Sequence, residues 1–296
     1  MNIRLVKDKA IGTGMLTLAI LAISLVFLIG IGLYLRAQPI LDKHSIWELI
    51  SSSAWRPMKG EFGFYPFIMG TLWVTGIAII IALPLCLLTA IYLVEYAPVR
   101  LKGIFLPIVN MLAGIPPVIY GVWGVFFIVP IVQQYVAPHF VEFSTGFTVL
   151  SGGVVLAVMI FPLLVSIVTE VLATVPKELK EASLSLGATK WETIKKVMLK
   201  KARPGIFAAT VLAISRAFGE TIAVLMVCGN VPIAPRSVFD PGYPLPALLA
   251  NNFGEMMSIP LYDAALMFSA LALFIIILLF NMVSRLILNK LEVRNA

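Results

Sequence analysis

Arg216 and Glu220 stand in the stretch SRAFGETIAV, within a run from Pro204 to Asn230 that holds no other charged residue. A guanidinium is a planar fork of donors that can bond two oxygens of a tetrahedral oxyanion at once. A carboxylate one helical turn later can hold that fork when no anion is present and keep an anion from binding too tightly. Helix rises about 1.5 Å per residue, so Arg216 lies about 18 Å beyond Pro204, near the centre of an apolar layer about 30 Å thick. An arginine at that depth costs roughly 2.5 to 3.5 kcal/mol on insertion scales. Three readings would offset it: a static ion pair that locks helices together, an ion or proton relay, or a weak, transient anion site on a pathway that includes Thr221, Tyr120 and Pro116.

Other chemistries find little support. There is no GxxxxGK[ST] phosphate loop, so any ATP would be hydrolysed by another subunit. His44 and His139 are the only histidines and have no acidic ligand cluster beside them, which argues against a metal enzyme. Glu170, Glu178 and Glu181 read as helix-terminus and docking charges rather than paired catalytic carboxylates. Cys86 and Cys228 both fall in apolar runs and read as packing residues.

The elements that must position these residues are membrane spans. The 296 residues are 60% hydrophobic and 12% charged, far from the quarter charged that soluble domains carry. Six runs reach the length a spanning helix needs: 11–35, 66–94, 104–134, 147–169, 204–229 and 261–284. The chain is therefore expected to be an all-α polytopic membrane protein with six transmembrane helices. The formal charge of +7 is to be sorted by side of the membrane before any nucleic acid is invoked. With the N-terminus inside, inner segments carry Arg4, Lys7, Lys9, Arg100, Lys102, Lys177, Lys180, Lys190, Lys195, Lys196, Lys200, Lys201, Arg203, Arg285, Lys290 and Arg294. Outer segments carry only Arg36, Lys43, Arg56, Lys59 and Arg236. Both termini are thus expected in the cytoplasm. Residues 1–65 read as a first helix with a long outer loop, and 66–296 as a five-helix core.

In the third span, LAGIPPVIYGVWG (112–124) sets Pro116 and Pro117 among glycines, which predicts a kinked or broken helix. On the inside, 173–203 has its own helical grammar. Pro176 suits a first turn, Gly187 a helix C-terminus, and Thr189 with Glu192 three residues later a capping box. Two short helices meeting at a glycine make an elbow. It reads either as an amphipathic hairpin lying on anionic headgroups or as a docking element for a soluble partner, with Pro204 restarting the chain into the fifth span.

Glu181-Ala182-Ser183, three residues including Leu186, then Gly187 resembles the glutamate-alanine-alanine loop of binding-protein-dependent ABC importer permeases; Ser183 and Lys200 depart from that pattern. RAFGETIAVLMVCGN (216–230) and GIPPVIYGVWG resemble the phosphate permeases of that family, of the PstC type more than the PstA type. The resemblance implies a MetI-like permease core without cofactor or ATPase of its own. It implies as partners a second, PstA-like permease subunit, two copies of a PstB-like ABC ATPase that grip the elbow at Glu181–Gly187, a PstS-like extracytoplasmic phosphate-binding protein and, in addition, a PhoU-like regulator. Another oxyanion such as molybdate or sulfate, or a PstA-like role, stays open.

Overall fold

The computed structural model describes residues 3–254 and 260–293. Arg294, named above, and positions 255–259 lie outside them. The chain is a helical bundle. α1 (Ile3–Leu41) leads to a small ordered cap made of α2 (Ile46–Ser51) and the antiparallel pair β1 (Trp55–Arg56) and β2 (Glu61–Phe62). α3 (Tyr65–Ile91) runs on through a wide π-helical turn at Tyr92–Tyr96, and α4 (Val99–Ala113) follows. After a break come α5 (Pro117–Trp123) and α6 (Val129–Ile131), then α7 (Val149–Ala173), α8 (Lys177–Ser185) and α9 (Lys190–Thr193). α10 (Leu199–Phe218), α11 (Ile222–Val227), α12 (Leu245–Asn252) and α13 (Pro260–Val293) complete the order.

α7 sits at the centre, packed on α3, α4, α10 and α11. Small side chains let these helices approach closely, which is how helices associate where lipid offers no hydrophobic contrast. On α3 the stripe Val74, Ala78, Ala82, Cys86 and Ala90 is buried. On α10 the stripe is Ala202, Ala209, Ala213 and Ala217. Gly152 and Gly153 of α7 lie against Val74 and Ile77 of α3, so close that a side chain at Gly153 would strike Ile77. Both cysteines are fully buried in this packing. α1 lies along α13, with Gly30 facing the Phe274 ring.

A second apolar cluster closes the opposite end of the bundle. Trp55 packs edge-on against Phe62, Phe64, Phe67 and Tyr262, joining the cap to α3 and α13. The segment between α1 and α3 is thus a small folded cap.

Five helical stretches are long and apolar enough to span a membrane among the described residues: Ala10–Leu41, Tyr65–Tyr96, Pro117–His139, Val149–Ala173 and Leu261–Leu291. The protein is a multi-pass membrane protein. Two expected spans differ from their sequence boundaries. The run 104–134 is two helices, because Gly114 to Pro116 interrupt it and residues 104–113 belong to α4. The run 204–229 is broken between α10 and α11, and Pro204 restarts nothing. The helix that opens at Lys190 continues through a π-helical turn at Ile194–Met198 into α10, with Pro204 in its interior.

Candidate functional site: a broken helix and a tethered elbow

α10 stops at Phe218, two residues after Arg216. Gly219 caps it, with its N–H bonded to the carbonyl of Arg216 at 3.2 Å, and the N–H of Glu220 bonds the carbonyl of Ala217 at 3.2 Å. The chain has therefore left the helix before Glu220. The expected i,i+4 ion pair between Arg216 and Glu220 does not form, since the turn that would have brought them together is the one at which the helix ends. Glu220 faces forward instead: its Oε1 accepts from the Ala223 N–H at 3.4 Å, at the start of α11, and Thr221 is the N-cap of that helix.

Arg216 is exposed on the bundle surface, and among the described residues it has neither a hydrogen-bond partner nor a carboxylate within 4.0 Å. It lies within electrostatic range of both Glu220 and Tyr120. Tyr120 is buried, and its hydroxyl donates to the carbonyl of Leu112 at 2.7 Å, bridging the break between α4 and α5. Pro116, exposed in that break, is the N-cap of α5. α5 in turn packs on α11, where Gly121 meets Ala223 so closely that a Cβ would come within 3.1 Å of the Ala223 Cα. Two broken helices thus lie side by side, with one uncompensated guanidinium beside them. Next to it, the Ser215 hydroxyl donates to Oδ1 of Asn281 at 3.1 Å and ties α10 to α13.

The elbow takes the form expected from its caps. Gly187 has φ +83°, its N–H bonds the carbonyl of Leu184 at 2.9 Å, and the Ala188 N–H bonds that of Ser183 at 3.2 Å. This pattern ends α8 with a left-handed residue. Thr189 accepts from the Glu192 N–H at 3.2 Å while its own N–H donates to the Glu192 carboxylate at 3.1 Å, so the capping box opens α9. Ser183, which departs from the family pattern, pairs with the Thr193 hydroxyl at 2.9 Å and clamps the two arms together. Glu181 and Ala182 are exposed on α8, and Leu186 at the tip is 89% exposed. An apolar residue so displayed at a bend is an unmet contact.

Glu95 was not singled out by sequence reasoning. Its Oε1 lies 2.5 Å from Nζ of Lys180, with both side chains largely buried. Lys190 donates to the Glu95 carbonyl at 2.5 Å and sits 4.3 Å from the centre of the Tyr96 ring, while Lys102 donates to the carbonyl of Val94 at 2.9 Å. Both arms of the elbow are thereby fastened to the end of α3. A signal existed: Glu95 is the only charged residue between Glu61 and Arg100.

Residues 82–295 match the family described as the binding-protein-dependent transport system inner membrane component. The chain belongs to that family. The permease is 35% identical over 281 residues to the probable phosphate transport system permease protein PstC of Methanocaldococcus jannaschii, covering 90% of this chain and 89% of that one. It is 36% identical over 252 residues to PstC of Haemophilus influenzae, covering 80% and 79%. It is 40% identical over 210 residues to the probable ABC transporter permease protein YqgH of Bacillus subtilis, covering 70% and 66%. Its fold is that of a chain of the MetNI methionine ABC transporter in an inward-facing form, with a TM-score of 0.55 and 22% identity over 77% of the permease and 94% of that chain.

Proposed function

We propose that this chain is a membrane subunit of an ATP-driven importer and forms, with a second and similar permease, the pathway for inorganic phosphate. The observation that carries the reading is the free Arg216 guanidinium at the break after α10. A planar donor fork with no carboxylate on it is ready for an oxyanion, and the loose chain at Gly219–Thr221 gives it room to follow its ligand. Glu220, held at the start of α11, supplies a negative charge within electrostatic range that keeps the bound state short-lived. Thr221 lies at this break, and Tyr120 and Pro116 lie at the neighbouring break between α4 and α5.

Energy comes from outside the chain. Glu181–Gly187 present a rigid, exposed elbow with Leu186 at its tip, which suits the cleft of a soluble ATPase, one copy for each of the two permeases. The chain needs no cofactor of its own. A binding protein outside the membrane delivers the anion to the end capped by Trp55 and Tyr262, and both termini lie in the cytoplasm, as the excess of lysine and arginine at the elbow end favours.

The test is uptake of labelled phosphate into vesicles that contain the co-purified subunits, with and without internal ATP. Uptake that requires ATP and the binding protein, and that is lost in Arg216→Gln while the subunits still assemble, supports the reading. Normal uptake by Arg216→Gln would overturn the anion site. Uptake driven by an ion gradient without the ATPase would overturn the importer, and competition by sulfate or molybdate at equal concentration would move the substrate to another oxyanion.

A further inference from the structure

At the elbow end of the bundle a cavity of about 900 Å³ opens between α3, the start of α10 and the end of α13. Its floor is apolar: Leu83 and Leu87 of α3, Ile206 and Phe207 of α10, and Leu291 of α13. Its rim is cationic, formed by Lys195, Lys196, Lys200 and Arg203, and no acidic residue lines it among the described residues. Lys196 is engaged by Glu192 at 3.1 Å. Lys195, Lys200 and Arg203 have no carboxylate within 4.0 Å among the described residues.

We infer that this groove is a binding site for an anionic phospholipid of the cytoplasmic leaflet, with its phosphate at Lys200 and Arg203 and its acyl chains over Leu83, Leu87 and Phe207. The volume falls within the range of about 300 to 1,000 Å³ typical of sites that enclose a ligand. The charge pattern selects among occupants. Cations grouped at the end of spanning helices on the cytoplasmic side attract anionic headgroups, each contributing about 1 kcal/mol. An apolar floor beneath them suits acyl chains, whereas a free inorganic phosphate would have to give up water to aliphatic and aromatic carbon. Among the described residues no carboxylate lies within 4.0 Å of Lys195, Lys200 or Arg203, and an anionic headgroup would supply the negative charge.

The site has a mechanical consequence. Lys195 and Lys196 lie in the π-helical turn that joins the elbow to α10, and Lys200 and Arg203 lie on the first turns of α10 itself. A lipid that bridges this turn to α3 and α13 would anchor the root of the elbow in the membrane while its tip at Leu186 stays free for docking. The inference uses the orientation proposed above, with the elbow facing the cytoplasm, and does not depend on which anion is carried.

The experiment is native mass spectrometry of the assembled complex in mild detergent, supplied with equal amounts of phosphatidylglycerol and phosphatidylcholine of the same chain length. The expected result is preferential retention of phosphatidylglycerol, with each cation removed in Lys200→Gln and in the double variant Lys200→Gln/Arg203→Gln lowering retention roughly fivefold, the equivalent of about 1 kcal/mol. Phosphatidylcholine retention and complex assembly should stay unchanged, which separates loss of the site from loss of the fold. Lys195→Gln, in a different turn, provides an independent variant with the same expected direction. Equal retention of the two lipids, or no change in the double variant, would sink the proposal. Displacement of phosphatidylglycerol by millimolar inorganic phosphate would instead mark a free-anion site, and crosslinking from Lys200→Cys to the second permease would show that a protein fills the groove; either result overturns the assignment. The readout is lipid retention rather than transport, so failure of the phosphate reading would leave it standing.

Discussion

Nζ of Lys180 on α8 and Oε1 of Glu95 at the end of α3 are 2.5 Å apart, a contact between residues 85 positions distant in sequence. The elbow that carries Lys180 is therefore fixed to the bundle through α3, the helix that packs along the central α7. The elbow thus has a connection to α3 besides the covalent chain.

Breaking this tie should loosen transmission before it disrupts assembly. In Glu95→Gln and Lys180→Met, ATP hydrolysis by the complex should persist while ATP-driven uptake falls several-fold. The thermal midpoint should drop by the equivalent of roughly 1 to 3 kcal/mol, between the values for surface and for buried pairs. The exchanged pair Glu95→Lys/Lys180→Glu should recover part of both. Unchanged coupling in Glu95→Gln would show that the tie only holds structure.

Glu220 should tune release. With the carboxylate neutralised in Glu220→Gln, an anion at Arg216 loses its repelling neighbour, so KM and kcat for uptake should both fall by roughly threefold to tenfold, the equivalent of about 1 kcal/mol. Steady-state uptake over a range of phosphate concentrations measures the two separately. A rise in KM instead would mean that Glu220 helps to hold the anion rather than to release it.

The elbow should be acid-sensitive at one place. Hydrogen bonds from the Thr189 backbone, then from the Lys196 and Thr189 side chains, hold the Glu192 carboxyl down to about 2, against the ordinary 4.5. A depressed carboxylate lends its stabilisation fully above the ordinary value and loses it as the pH falls from there through about 2. Hydrogen exchange at the Thr189 amide should accordingly speed up, relative to neighbouring amides, as the pH is lowered from 4.5 towards 2. In Glu192→Ala the same amide should be unprotected at every pH.

Two glycines should respond differently to a side chain. Gly187 has open space around it, so Gly187→Ala carries only the strain of a left-handed backbone, about 1 kcal/mol, and the elbow should still form. Gly153→Val drives methyl groups into Ile77 across the α3–α7 contact and should cost roughly 1 to 3 kcal/mol, read as a lower thermal midpoint. An unchanged thermal midpoint in Gly153→Val would mean that the α3–α7 contact can relax without cost.

Some of this protein could be read directly from its residues. Long apolar runs must be spans, because unpaired backbone is too costly in lipid. Thr189, Glu192 and Gly187 set their own local hydrogen bonds within a few residues, and the capping box and the left-handed turn are found where those residue types place them. The break at Gly114–Pro116 was equally local, since proline lacks the donor that a helix needs.

What only the tertiary structure decided is where locally similar choices end. Nothing in SRAFGET compels α10 to stop at Phe218 rather than carry Glu220 round to Arg216. The chain turns there because α11 has to pack on α5 and α7, and that packing, not propensity, separates the two charges. Pro204 is held inside a helix for a similar reason: α10 is buried along its alanine stripe against the bundle, and burial offsets a proline that would break an isolated helix. The tie of Lys180 and Lys190 to the end of α3 joins segments far apart in sequence. Sequence patterns report hydrogen bonds made within a few residues, while an ion pair across 85 positions exists only once the bundle has brought its ends together.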